Sequence, residues 1–390
     1  MGEKKIGRII VTGLLVLGVS ASVVLGAASF SSQSEQNDKV NKYISDQLER
    51  QAEEQIQENT YEEDGFKVGE QYEIRSTKNI SDAYISGDVS ALSEEEKKTY
   101  DMAVEVIDKE ITDDMSLYEK EVAIYEWMFN NIKTTAGGMI SLPTSGGDTY
   151  TPYGVLTGKK AVCVGYATTF RMFMQMLGIE CHVVHNSYHS WNLVKLDDGE
   201  WYHTDVYSDV SSNAMYQNFN MSDSVARNGH DWDGSALPAA EGVKYSYAVQ
   251  HNERLSDIYD IPVKVKEKLD EGAQIMIFSF GKKLSDEELA KVNLMYTKIN
   301  EAFYACGLYN GKDISATWYP DENGSYILGI FVCSYSQATA GVDDEEGRKI
   351  VDKVSETFGV WLDGGSDSGY TGDTGYYEEN VTTEYMDAVG

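Results

Sequence analysis

The sequence predicts an α+β fold, and two observations carry that prediction. Helical periodicity dominates from about Ser93 to Leu177, and strand-like runs follow at Cys181–His185, His189–Leu196 and Glu200–Tyr207. Beyond Pro262 the pattern becomes a second, smaller α+β unit. At 390 residues the chain has room for more than one domain, or for one domain with long tails. It is 42% hydrophobic and carries 27 tyrosines, enough apolar surface for a core.

The first segment, residues 1–30, reads as an export signal. Lys4, Lys5 and Arg8 precede Ile9–Phe30, a run of 22 residues without a charge. Such an order leaves the N-terminus in the cytoplasm and exports the rest of the chain. The run exceeds the roughly 7–15 residues of a signal-peptide core and approaches the ~20 that span a bilayer. An uncleaved anchor is the expectation, with Gly26-Ala27-Ala28 as the cleavage site if the segment is instead a signal peptide. Residues 31–65 are polar and acidic, too poor in apolar residues for a core, and read as a partly helical stalk.

Globular composition begins near Phe66 and runs to 261 as one expected domain. Ser93-Glu94-Glu95-Glu96 is a capping box opening a helix to about Ile111. A second helix spans about Ser116 to Ile132, with Val122, Tyr125, Trp127, Met128 and Ile132 on its apolar face. Gly137–Tyr150 is a loop by composition. The next helix, from about Val162, ends at Gly178, the usual stop residue. Tyr166, Ala167, Phe170, Phe173, Met174 and Leu177 share its Cys163 face.

The expected second unit, 262–362, holds a strand at Ala273–Phe280, a helix at Ser285–Cys306 and a hairpin pair at Ile314–Tyr319 and Tyr326–Ser334. A helix at Asp343–Phe358 completes it, and 363–390 reads as a disordered tail. No catalytic constellation falls in this unit, which reads as a binding or spacer module.

A net charge of −32 argues against nucleic acid or anionic lipid as a partner, because both require basic surface. The acidity suits an exposed extracellular surface. The four cysteines, Cys163, Cys181, Cys306 and Cys333, form no Cys-x-x-Cys pair and signal neither a disulfide framework nor a zinc ribbon. A Cys306–Cys333 bridge stays open. Outside the cell, a reactive Cys163 would survive best in a reducing or anaerobic setting.

Cys163, His189 and Asp205 are the candidate catalytic residues. Cys163 opens a helix, where unpaired N–H groups and the helix dipole favour a thiolate. An imidazole takes the thiol proton, and a carboxylate fixes the imidazole tautomer. Loop length tests whether the last two share a face. A two-residue turn at Asp198-Gly199 pairs Asn192 with Asp205 and separates them. A three-residue loop, Asp197-Asp198-Gly199, pairs Trp191 with Asp205 and brings His189 and Asp205 to diagonal positions about 7–8 Å apart. Gly199 suits the left-handed position of that loop.

Blander explanations exist for each residue alone. A buried Cys is usually a small core hydrophobe, a strand Asp a turn residue and a strand His a satisfied polar group. Cys181, His182, His185, His189 and His203 also cluster in sequence, which raises zinc. Their spacing fits no established zinc pattern, and His182 and His185 point to opposite faces of a strand. Acyl transfer ranks above metal binding, and no cofactor is expected.

At these residues the chain resembles the transglutaminase-like superfamily, whose core is similar to papain, over roughly Ser116–Pro238. The helix Tyr118–Trp127 looks like the one preceding the core in bacterial members. Tyr153-Gly154-Val155-Leu156 followed by Cys163-Val164-Gly165-Tyr166-Ala167 resembles the nucleophile motif, and His189-Ser190-Trp191-Asn192 the His motif, with Ser190 where Ala is common. Trp201-Tyr202-His203-Thr204-Asp205 resembles the Asp motif, and Asp231-Trp232 with Pro238-Ala239-Ala240 resembles the end of such domains.

The resemblance implies a nucleophile helix packed on an antiparallel sheet. It also implies attack of Cys163 on an amide, with His189 shuttling the proton and Asp205 orienting His189. The thioester would pass to water or to an amine. The Cys163 N–H is one implied oxyanion donor, with Tyr153 a candidate for the other. The expected protein is a surface-anchored thiol amidase, peptidase or cross-linking enzyme acting on exported protein or cell-wall peptide. The alternative is a non-catalytic adhesion or scaffold protein using the same domain.

Overall fold

The structure is a computed structural model and describes residues 63–69, 71–135, 148–307, 312–334, 345–360 and 362. The expected anchor, most of the stalk, most of the 137–150 loop and the tail lie outside them. Among the described residues no helix is long and apolar enough to cross a membrane.

A short antiparallel hairpin, β1 (Lys67–Val68) and β2 (Tyr72–Glu73), precedes helices α1 (Lys78–Ser86), α2 (Glu94–Glu110) and α3 (Leu117–Asn131). α2 and α3 both open on capping boxes, Ser93 with Glu96 and Ser116 with Glu119. Strand β3 (Lys133–Thr134) pairs in parallel with β4 (Lys160–Ala161), and α4 (Pro152–Gly158) lies between them in sequence. α5 (Cys163–Met176) follows, and then the antiparallel sheet β5 (Cys181–His185), β6 (Ser190–Lys195) and β7 (Trp201–Thr204), with β6 in the middle.

The N-cap residue of α5, Val162, provides no side-chain cap. Losing a cap costs about 1 kcal/mol, whereas burying one large apolar side chain contributes roughly 1.5–3 kcal/mol. Tyr166, Phe170 and Phe173 are all buried along α5, so packing outweighs the missing cap. At the other end Gly178 adopts φ +75°, and the Ile179 N–H reaches back to Met174 O at 2.8 Å. Asn192 on β6 donates to Ala167 O at 2.9 Å and ties helix to sheet.

The sheet register follows the three-residue loop. Asn192 pairs with Thr204 and Lys195 with Trp201, and Gly199, at φ +81°, donates to Leu196 O at 2.9 Å. Asp197 turns outward and accepts from the Leu117 and Tyr118 N–H groups, so the loop also caps α3. The expected strand to Tyr207 instead stops at Thr204. Asp205 accepts from the Ser208 N–H and starts helix α6 (Val206–Ser212), so a local cap overrides the strand preference of Val206 and Tyr207.

Short helices α7 (Asp223–Ala226) and α8 (Tyr247–Gln250) lead to β8 (Glu253–Arg254) and α9 (Ile261–Asp270). Then come β9 (Ile275–Ser279), α10 (Asp286–Ala305), β10 (Asp313–Pro320), β11 (Tyr326–Cys333) and α11 (Glu345–Phe358). Their four strands form a second sheet in the order β10-β11-β9-β8, whose edge strand β8 precedes Pro262. No disulfide joins Cys306 to Cys333. The fold is α+β throughout.

Three apolar clusters matter for the site. One surrounds α5 and α3, including Tyr125, Phe170 and Phe173. A second joins the two sheets, with Val184, Trp191 and Leu193 on one side and Ile277, Tyr319, Ile327 and Phe331 on the other. A third covers the first turn of α5, placing Val68, Tyr72 and Ile74 with Val162, Cys163 and Val183.

Candidate active site

The structure brings Cys163, His189 and Asp205 together. Cys163 is the first residue of α5 and is fully buried. His189 stands immediately before β6, with its ring close enough to the Cys163 thiol for the two to interact electrostatically. Its Nε2 lies 2.7 Å from Asp205 Oδ2, which leaves Nδ1 as the ring nitrogen on the thiol side. Asp205, at the end of β7, is completely buried.

Each position has a local cause. The close approach of residue 149 sets the start of α5, because Val162 N–H donates to Thr149 O at 3.0 Å. A Cβ on Gly165 would fall 2.2 Å from that same oxygen, so only glycine fits two residues beyond the thiol. His189 is held by Asn186, whose Oδ1 accepts from the His189 N–H at 2.7 Å and the Tyr188 N–H at 2.9 Å. The His189 ring stacks on Trp191 with centroids 5.6 Å apart and meets Tyr207 at 5.7 Å.

The electrostatics favour a charged pair. Burial opposes the positive ring of His189, but the Asp205 charge and the hydrogen bonds to Asp205 and Cys163 outweigh it and push its pKa up to about 10. Burial also opposes the Asp205 carboxylate, yet the His189 charge and the hydrogen bonds hold it well below the usual carboxylate range. Behind Asp205, burial pushes Glu121 up to about 8, and Thr204 Oγ1 and Asn220 Nδ2 bond it at 3.1 and 2.9 Å.

Cys181 differs from Cys163 in kind. Burial raises its thiol well above the ordinary value, which suits a core side chain rather than a nucleophile. Tyr153, the candidate second oxyanion donor, sits half-buried on α4.

The histidine cluster that raised zinc does not converge. His182 bonds Glu63, His185 stacks on Phe66 at 3.7 Å, and His203 bonds Asp223 at 2.8 Å. A different set does converge, because His189, Asp205 and His230 have donor atoms within 4.8 Å of one another. Hydrogen bonds account for that arrangement, since both Nε2 atoms lie against the same carboxylate oxygen.

His230 escaped the sequence reasoning, as did Asn186 and Ser208. One signal was available for His230, since it directly precedes the Asp231-Trp232 pair that carried part of the resemblance.

The match to known families covers this region. Residues 104–206 match the family model of the transglutaminase-like superfamily, a span that ends one residue past Asp205. This segment of the chain is therefore similar to the transglutaminase-like domain. Among solved structures, one described as the crystal structure of a TGase is 20% identical, over 32% of this chain and 36% of that one, with a TM-score of 0.26. Another, a "putative cysteine protease" from Cytophaga hutchinsonii, is 15% identical over 28% of this chain and 37% of that one, with a TM-score of 0.22. The chain thus spans little more than a third of each. No curated protein matches.

Proposed function

We propose that the protein is a cysteine-dependent acyl-transfer enzyme of transglutaminase-like type. One observation carries the reading, namely His189 set between the Cys163 thiol, which acts on its ring electrostatically, and a buried Asp205 that it hydrogen-bonds. In this scheme the Cys163 sulfur attacks an amide carbonyl carbon and the carbonyl electrons move to oxygen. The oxyanion is met by the Cys163 N–H at the start of α5. As the C–N bond breaks, His189 delivers its proton to the departing amine. Water or a second amine then attacks the thioester, His189 takes the proton of that nucleophile, and the sulfur leaves as thiolate.

The charged N-terminus and the run Ile9–Phe30 support export and anchoring at the outer face of the cell membrane, or secretion if the run is cleaved. Substrates would then be exported proteins or cell-wall peptides. One observation favours a non-catalytic adhesion or scaffold role instead, because Cys163 has no exposed surface beneath the β1–β2 hairpin.

Mass spectrometry of protein substrates incubated with a labelled primary amine separates these readings. Label incorporation means transfer, and new carboxylates mean hydrolysis. Either should disappear in Cys163→Ala. If wild type and variant give the same background, the enzyme reading fails.

A further inference from the structure

Asp205 Oδ2 receives two imidazoles, and the acyl-transfer scheme uses one. The other belongs to His230, which is buried, with Nε2 2.8 Å from that oxygen. Its Nδ1 lies 3.1 Å from Ala226 O. Both ring nitrogens therefore face oxygens, and the bond to the carboxylate forms when Nε2 carries the ring proton.

Orientation alone does not explain this second imidazole. Asp205 is already fixed as the N-cap of α6, with Ser208 N–H on Oδ1 at 3.0 Å and Ser208 Oγ on Oδ2 at 2.6 Å. His230 adds a donor to a carboxylate that would be held without it. Trp191 flanks the ring at 4.7 Å, so little water stands ready to take over that role.

We propose that His230 acts through Asp205 as a positioning residue of the site, sharing the carboxylate charge and so setting how tightly His189 holds its proton. The proposal rests on the reading of His189 as the proton carrier of an acyl-transfer site. Removing a donor from the carboxylate leaves more of its charge on the His189 ring and raises the pH at which that ring gives up its proton. Dividing the charge between two rings loosens that hold.

The other charged or titratable groups around His230 come from several elements. His189 approaches from the loop before β6, with ring centroids 5.7 Å apart. His203 lies on β7 and is paired with Asp223. Arg227, just after α7, packs its guanidinium over Trp232 at 3.6 Å. Asp205 is the carboxylate in hydrogen-bond contact.

Side-chain NMR of the imidazoles tests the idea without requiring a substrate. In wild type, the Nε2 of His230 should carry a proton held against Asp205, with the downfield shift of a hydrogen-bonded ring N–H. In His230→Gln, which offers a neutral N–H donor, the titration midpoint of His189 should rise by about one pH unit, the low end for removal of a neighbouring charge. A His230 Nε2 without a bound proton in wild type, or a His189 midpoint that is unchanged or lower in the variant, overturns the proposal. Because the wild-type shifts need no substitution, misfolding of the variant does not spare it. Failure of Cys163 to support turnover would count against the enzyme reading and leave these shifts readable.

Discussion

Asp205 caps α6 through one oxygen and receives two imidazoles and a hydroxyl on the other. Its partner His189 gives this arrangement a signature in stability. The folded-state pKa of His189 is raised from 6.5 to about 10, so the protonated ring favours the fold. That contribution is complete below pH 6.5 and is lost as pH climbs through about 10. Asp205 has the opposite sign, contributing above its unfolded value and losing its contribution as pH falls. Thermal unfolding measured across the alkaline window should therefore show wild type losing stability that His189→Gln never had. Parallel pH curves for the two proteins would contradict the coupling. The pair itself was legible in the sequence because the Asp197-Asp198-Gly199 loop is local chemistry that sets register. His230 was not, because a lone histidine 25 residues past Asp205 has no periodic or turn signal to place it.

Among the elements, the β1–β2 hairpin was the least legible, since two-residue strands carry no periodicity to read. Besides the buried Val68 and Tyr72, polar bonds pin it. Arg171 on α5 donates to Glu63 at 2.6 Å, to Asp64 at 3.0 Å and to Arg75 O at 2.8 Å. Glu63 also accepts from Val183 N–H on β5 at 2.9 Å. Only 4% of the Arg171 side chain and 14% of the Glu63 side chain are exposed, so this pair is not screened as a surface bridge would be. Removing one partner of a buried pair strands the other charge at a cost of about 3–5 kcal/mol. Arg171→Leu should lower stability on that scale in denaturant unfolding, and a loss below about 1 kcal/mol, the range of a surface bridge, would mean the pair contributes little. Helix α6 was missed for a related reason, since its start depends on what the Asp205 side chain caps rather than on propensity.

Across the whole molecule, the C-terminal sheet backs the sheet that carries the site. Its Tyr319 donates to Gln217 O at 2.6 Å, and Ser315 and Thr317 bond the Gln217 side chain at 3.0 Å. Ile277, Ile327 and Phe331 share one apolar cluster with Val184, Trp191 and Leu193, and Trp191 is the residue that stacks on His189. A chain ending at residue 261 keeps all three candidate catalytic residues but leaves that apolar face uncovered. It should unfold at lower temperature than the full chain and bind a hydrophobic dye; equal stability without dye binding would show the second sheet to be a mere appendage. The strand pattern beyond Pro262 was readable from sequence, whereas this docking was not, because it depends on side chains brought together from distant parts of the chain.

The cover over Cys163 also bears on how a thiol could last outside a cell. Peroxide must touch sulfur to make a sulfenic acid, and a sulfur without exposed surface beneath Val68, Tyr72 and Ile74 is shielded from that first step. The hairpin residues over the sulfur thus act as an oxidation shield as well as a packing layer. Cys306 is only partly buried and lacks such a cover, so it would meet the oxidant first.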